Sequence, residues 1–308
     1  MDLKSVMSVL PRQLSSLIDE SNLDSLKEIR IRTERNTILN YDNFEVVSEY
    51  VPNERDVVTI LQMLCENSIY SYQNQINNGF ITLIGGHRVG ITGNIVMNDG
   101  KITNVNYISS MNFRIAKEIK GVGNDLIKFI LQGYDINRRF DKTEVYFNNT
   151  LIVSPPGCGK TTLIRDLIRI FSNFGYTVSL IDERGEIASM YKGVPQNDIG
   201  LRTDVMDNVT KSVGMKIAVR TMAPDIIAAD EIGSKDDIDA INYGILSGVH
   251  GIFSAHASSM NELKSNINLH KLLDENIFKT IIFLEKRGKI KTIYRFDQNM
   301  YKPVNELL

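Results

Sequence analysis

Tryptophan is missing from this 308-residue chain, and cysteine nearly so, with Cys65 and Cys158 the two thiols. A disulfide framework is thereby excluded. The one possible pairing would distort the tight loop that holds Cys158, so both thiols are expected reduced, as in the cytosol. Cys158 precedes a helix N-terminus, where a thiol pKa can fall, although a small spacer is the simpler role. No apolar run approaches the roughly 20 residues that span a bilayer. Met1-Asp2-Leu3-Lys4 also lacks the layout of a secretory signal. Neither charge dominates, since 35 Lys and Arg face 37 Asp and Glu. Without a basic tail or block, constitutive binding to nucleic acid or lipid is not expected. A hydrophobic share of 43% and a charged share of 23% suit an ordinary globular protein, and the length suits two domains.

What is present centres on Ser154-Pro155-Pro156-Gly157-Cys158-Gly159-Lys160-Thr161-Thr162. The preceding Thr150-Leu151-Ile152-Val153 reads as a buried strand, and residues 163–171 carry helical apolar spacing. Strand, small-residue loop, Lys-Thr and helix is the context of a phosphate-binding loop. Such a loop bends backbone N–H groups around an anion where the helix dipole also favours negative charge. The cradle is predicted over Gly157 to Thr161, with Lys160 on the outer phosphates and the Thr161 hydroxyl on Mg²⁺. Pro155 and Pro156 cannot donate and stiffen the entry. Ser154 stands where the motif has glycine, a small residue shaping the turn. An ATP site with Mg²⁺ is the expectation.

Three later strands end in polar residues. Residues 177–181 run into Asp182-Glu183-Arg184-Gly185-Glu186, where Glu183 can position water or metal and Arg184 can face a phosphate. Asp225-Ile226-Ile227-Ala228-Ala229 delivers Asp230 to the Mg²⁺ shell and Glu231 to the attacking water, a separation phosphoryl transfer requires. Residues 247–258 form a strand ending in His256, a reader of the γ-phosphate, while His250 is structural. Arg202 and Arg220 are candidate arginine fingers toward a neighbouring subunit.

Upstream, residues 1–20 have helical spacing, and residues 26–32 alternate between a basic and an apolar face. A helix is predicted over 53–73, and strands over 80–84, 89–97 and 101–108, the last two joined by an Asn98-Asp99-Gly100 hairpin turn. Arg88, in a glycine-rich loop, and Arg114, at the domain boundary, can face a neighbouring surface or the nucleotide. A connecting helix over 125–132 leads to the second domain, which closes with a hairpin of residues 281–285 and 290–296. The fold class is therefore α/β: a smaller α+β domain over 1–118 before a P-loop ATPase domain over 119–308.

The stretches SPPGCGKTT, LIDERGEIA, IGLRTDVMDN, AVRTMAPDIIAADEIG and SGVHGIFSAHA, with GGHRVGITG and SSMNFRIAKEIKG upstream, resemble the stage III sporulation protein AA family of endospore-forming bacteria. That family in turn resembles the ATPases of type II secretion, type IV pilus and type IV secretion systems. The resemblance implies a RecA-like ATPase core working as a hexamer, cytoplasmic in the mother cell and held at the membrane by a partner. There it would power a channel complex between mother cell and forespore, engaging a cytoplasmic segment of a membrane-embedded sporulation protein. Carried over by motif, residues 157–162 bind ATP, Asp230 and Glu231 form the Walker B pair, Asp182 and Glu183 the acidic box, and His256 the histidine box. Arg114 matches an arginine that approaches nucleotide in such motors. The chain departs from secretion motors in having Asp-Glu where they commonly carry Gly-Glu, which brings its Mg²⁺ geometry closer to ordinary ATPases. The alternatives are a nucleic-acid-handling ATPase using Arg30, Arg32 and Arg35 on a groove, and an ATP-gated structural module.

Overall fold

A computed structural model describes residues 3–304. Packing divides them into two units, one formed by residues 3–118 with Ser189–Asn197, the other by Ile119–Ala188 with residues 198–304.

In the first unit, helices α1 (Lys4–Val9) and α2 (Arg12–Ser15) precede strands β1 (Leu26–Arg32), β2 (Arg35–Tyr41) and β3 (Glu45–Val47). Helices α3 (Glu54–Leu64) and α4 (Gln73–Asn77) and strands β4 (Phe80–Thr82), β5 (Arg88–Asn98) and β6 (Lys101–Arg114) follow. The strands form one antiparallel sheet in the order β3-β2-β1-β6-β5-β4. Its core holds Ile29, Ile31, Leu39, Val89, Ile91, Met111 and Phe113. Val57, Ile60, Leu61 and Leu64 of α3 join them, at the spacing that puts apolar residues on one helical face.

An Asn53–Asp56 capping box starts α3 where residue 53 was expected to open a helix. The helix stops nine residues before the predicted residue 73, because Glu66 and Asn67 take left-handed conformations (φ 49° and 62°). β6 continues through the predicted boundary segment to Arg114. The β5–β6 hairpin turns at Asp99 and Gly100, both with positive φ, the pair a two-residue type I′ turn needs. Arg88 lays its guanidinium 3.8 Å over the Phe80 ring of the same sheet.

Ser189–Asn197 belongs to this unit through specific contacts. Glu66 accepts hydrogen bonds from the Tyr191 hydroxyl (2.5 Å) and the Lys192 ammonium (2.6 Å). The Gly85 N–H donates to the Gln196 side chain at 2.9 Å. Lys192 is the foremost influence holding the Glu66 carboxyl down at about 2.

The second unit begins with a short helix α5 (Ile127–Ile130) that passes into strand β7 (Leu131–Gln132), paired with β8 (Tyr146–Phe147). The helix expected over 125–132 is thus a single α-turn, because Leu131 is already extended. Then come β9 (Thr150–Val153), α6 (Lys160–Asn173), β10 (Val178–Asp182), β11 (Thr203–Asp207), α7 (Lys211–Thr221), β12 (Ile226–Ala229) and α8 (Lys235–Leu246). The chain continues through β13 (His250–Ala255), α9 (Met260–Ser265), α10 (Ile267–Asp274), β14 (Thr280–Leu284), β15 (Ile290–Asp297) and β16 (Met300–Pro303). The sheet order is β11-β10-β12-β13-β9-β14-β15-β16. Strands β11 through β14 in that order pair parallel, and β15 and β16 add an antiparallel edge.

Every residue of β9, β10, β12 and β14 is buried. That is the pattern of a parallel sheet covered on both faces, and it explains why these strands read as largely apolar runs. α6 buries Leu163, Ile164, Leu167, Ile168 and Phe171. Gly214 of α7 lets that helix lie close to β10, since a Cβ there would fall 2.6 Å from Ile181 Cγ2. The carboxyl ends of β9, β10, β12 and β13 therefore meet at one edge, and each continues directly into a polar segment.

Candidate functional site

The loop after β9 is shaped by two glycines in left-handed backbone, Gly157 (φ 73°) and Gly159 (φ 91°). Gly159 is the N-cap of α6, and no side chain caps that helix. Its first amide groups are thus aimed into the loop without a side-chain acceptor, as anion binding demands. Cys158 is buried, with its thiol toward the Pro156 carbonyl.

Lys160 is 5% exposed. Its ammonium donates to the Ser154 carbonyl (3.1 Å), the Ser154 hydroxyl (3.3 Å) and the Pro155 carbonyl (3.4 Å), and stands 3.0 Å from His256 Nδ1. Burial pushes its pKa down, opposed by the charges of Asp230 and Glu231. An ammonium is only a donor, so His256 Nδ1 accepts and the ring proton lies on Nε2. That nitrogen donates to Glu231 Oε1 at 3.0 Å. The second Glu231 oxygen, Oε2, pairs with Arg184 Nη1 at 2.5 Å.

One residue along α6, the Thr161 hydroxyl donates to Asp230 Oδ2 at 2.6 Å. Asp230 Oδ1 accepts from the Ser254 hydroxyl and from the Glu231 N–H at 3.0 Å. The residues expected to act together are therefore linked: Lys160 to His256 to Glu231 to Arg184, and Thr161 to Asp230. A hydroxyl and a carboxylate oxygen side by side form the hard-oxygen pair suited to Mg²⁺, which binds few protein groups and takes its remaining oxygens from phosphate and water. Among the described residues no cluster of three His, Cys, Asp or Glu side chains could hold a metal unaided.

Asp182 is structural. It is 3% exposed, and its two oxygens accept the N–H groups of Glu186 (2.9 Å), Ile187 (3.2 and 3.1 Å) and Ala188 (2.8 Å). Arg165 closes the same turn by donating to the Ile187 and Glu186 carbonyls, each at 2.7 Å. Glu183, expected near water or metal, is paired with Lys211 at the first position of α7. Both line a small cleft with Arg184, Asp230 and Glu231.

Two candidates do not reach this cluster within the chain. Arg202 precedes β11, at the opposite end of the parallel strands, where its guanidinium meets the Ser172 carbonyl. Arg220 sits in the last turn of α7, far from the Lys211 end, and donates to the Lys216 carbonyl. Arg114 closes β6 of the first unit, opposite Arg88 and Glu28. Two contributors went unread in the sequence, Lys211 and Ser254. Ser254 precedes His256 by two residues, so strand alternation was the available signal. A larger cavity, about 560 Å³ and lined by Lys279, Arg295 and Lys302 among others, opens at the opposite sheet edge and shares no residue with this cluster.

The family model for sporulation stage III, protein AA, matches residues 2–300. The stage III sporulation protein AA of Bacillus subtilis (strain 168) is 32% identical over 309 residues, covering 97% of each chain. Among solved structures, the Legionella pneumophila ATPase DotB aligns with a TM-score of 0.56 at 12% identity, over 94% of this chain and 82% of that one. The pilus retraction motor PilT, crystallised with ADP, aligns with a TM-score of 0.57 at 12% identity, over 92% and 81%. The fold is that of a RecA-like ATPase domain preceded by a smaller α+β unit.

Proposed function

The chain belongs to the sporulation stage III, protein AA family, and on that premise we propose that it is a Mg²⁺-dependent ATP hydrolase serving as a motor subunit. The observation that carries this reading is the network of Lys160, His256, Glu231, Asp230 and Thr161, its two arms joined by the Glu231 N–H bond to Asp230, beside an uncapped helix N-terminus.

The backbone from Gly157 to Thr162 takes the phosphates of ATP, and Lys160 exchanges its loop carbonyls for their outer oxygens. Thr161 and Asp230 would hold Mg²⁺, which when bound neutralises charge on the phosphates. Glu231 accepts the proton of the attacking water, and His256, bonded to both Lys160 and Glu231, ties occupancy of the lysine to the position of the base. Arg184 moves from Glu231 to phosphate, and Glu183 with Lys211 lines the approach. Arg202, Arg220 and Arg114 are left to serve a neighbouring copy in a hexamer. The ring works in the mother-cell cytoplasm, at the membrane through the cytoplasmic segment of an embedded sporulation channel protein.

Lys160→Ala should nearly abolish turnover. Glu231→Gln should still bind ATP but hydrolyse it about 10²–10³-fold more slowly, the range for a positioned catalytic group. Turnover by both variants at the wild-type rate would defeat the assignment. An arginine supplied by a neighbour makes specific activity rise with protein concentration, and a flat profile across the assembly range would remove that role.

A further inference from the structure

The bend after β12 is held from the neighbouring strand, β13. Ser254 is fully buried on β13, among Ile252, Phe253 and Ala255. Burying a hydroxyl in an apolar strand is unfavourable unless its hydrogen bonds are made, and here they are all directed at the acidic pair. The Ser254 hydroxyl donates to Asp230 Oδ1 and accepts the Glu231 N–H at 2.9 Å. Its carbonyl accepts the Ile232 N–H at 2.8 Å. Between these contacts Glu231 sits at φ 55°, a left-handed conformation costly for a residue with a Cβ. Such a backbone persists only when its surroundings over-determine it. With one Asp230 oxygen bonded to Ser254 and the other to Thr161, the plane of that carboxylate is set by two hydroxyls on different elements.

We propose that Ser254 is a positioning residue of this site, fixing the Asp230 carboxylate for metal holding and the Glu231 backbone for water activation. The proposal rests on the hydrolase reading above. Alanine removes both the donor and the acceptor, whereas threonine keeps them.

The test compares Ser254→Ala and Ser254→Thr in the full chain. The readouts are the affinity of a fluorescent ATP analogue in EDTA, the fold-gain on adding Mg²⁺, and kcat and KM for ATP. In EDTA the alanine variant should bind within about threefold of wild type. Its Mg²⁺ gain and kcat should each fall about 10–100-fold, as for residues that orient a metal ligand, with KM little changed. Threonine should restore both to within about threefold. An alanine variant with wild-type Mg²⁺ gain and kcat would overturn the role. So would a threonine variant that fails as alanine does, since packing would then be the whole of it. If the wild-type chain gains affinity from Mg²⁺ without turnover, the hydrolase reading fails while the Mg²⁺ gain still decides for or against Ser254.

Discussion

Asp182→Asn changes a single atom yet should be among the most damaging substitutions in the second unit. Both carboxylate oxygens face backbone N–H groups, and Ile187 and Ala188, which supply three of the four hydrogen bonds, are fully buried, so water cannot substitute. Asparagine offers one oxygen and one NH₂, and in either orientation the NH₂ meets an N–H donor. Losing a hydrogen bond to a charged acceptor costs about 1.5–3 kcal/mol, and the orphaned N–H adds to it, giving about 3 kcal/mol in all. For a domain of this size that lowers Tm by about 6–10 °C. Turnover should drop about tenfold as Glu183 and Arg184 lose their anchor, with ATP affinity little changed. Denaturant titration followed by circular dichroism reads the stability. Burial pushes the Asp182 pKa up while the N–H groups pull it down. If burial left the acid protonated at neutral pH, asparagine would be nearly isosteric. A loss under about 0.5 kcal/mol would therefore refute the ionised, fully accepting carboxylate.

Two further outcomes concern stability. The Arg30 guanidinium, then Asn112 and Asn40, hold the Glu28 carboxyl down at about 2 against its burial, from an ordinary 4.5. A lowered carboxylate pKa gives stability present above pH 4.5 and lost as pH falls through 2. Its full worth of about 3.4 kcal/mol shrinks to about 1.5 with solvent screening at the 42%-exposed Arg30 side chain. Glu28→Gln should cost that much at pH 7 and progressively less below pH 4. A pH-independent difference in denaturation midpoints would count against it. Gly200→Ala should cost about 2–4 kcal/mol, because φ is 84° and the new Cβ would lie 2.5 Å from Ser172 Cβ and 2.8 Å from the Arg169 carbonyl oxygen. Ser172 cannot yield without breaking its bond from the Arg202 N–H (2.6 Å). An unchanged melting temperature would show that the segment can shift.

The α/β class and the family were legible because their determinants are local. Strands buried on both faces are mostly apolar, and a glycine-rich turn between such a strand and an amphipathic helix has few other uses. Thr161, Lys160, Asp230, Glu231 and His256 could be placed together because each stands at the end of a parallel strand or the start of the helix after one. Ser254 was missed, since alternation with His256 puts it on the same face of the strand but does not tell what the neighbouring strand presents to it. Arg202 could not be placed at all. A basic residue before a strand looks available, but only strand direction tells which edge it occupies. The end of α3 was missed because Glu66 and Asn67 turn left-handed without a glycine to announce it. No local pattern could foretell that Lys192 would find Glu66, 126 positions away.

Ser189–Asn197 makes the two units laced rather than strung in series. The backbone passes from one body to the other after Glu118, after Ala188 and after Asn197. A fragment cut at residue 119 would carry Tyr191, Lys192 and Gln196 as a dangling loop, and its counterpart ending at 118 would leave Glu66 and Gly85 without the groups that complete them. Neither unit can be excised whole by a single cut in the chain.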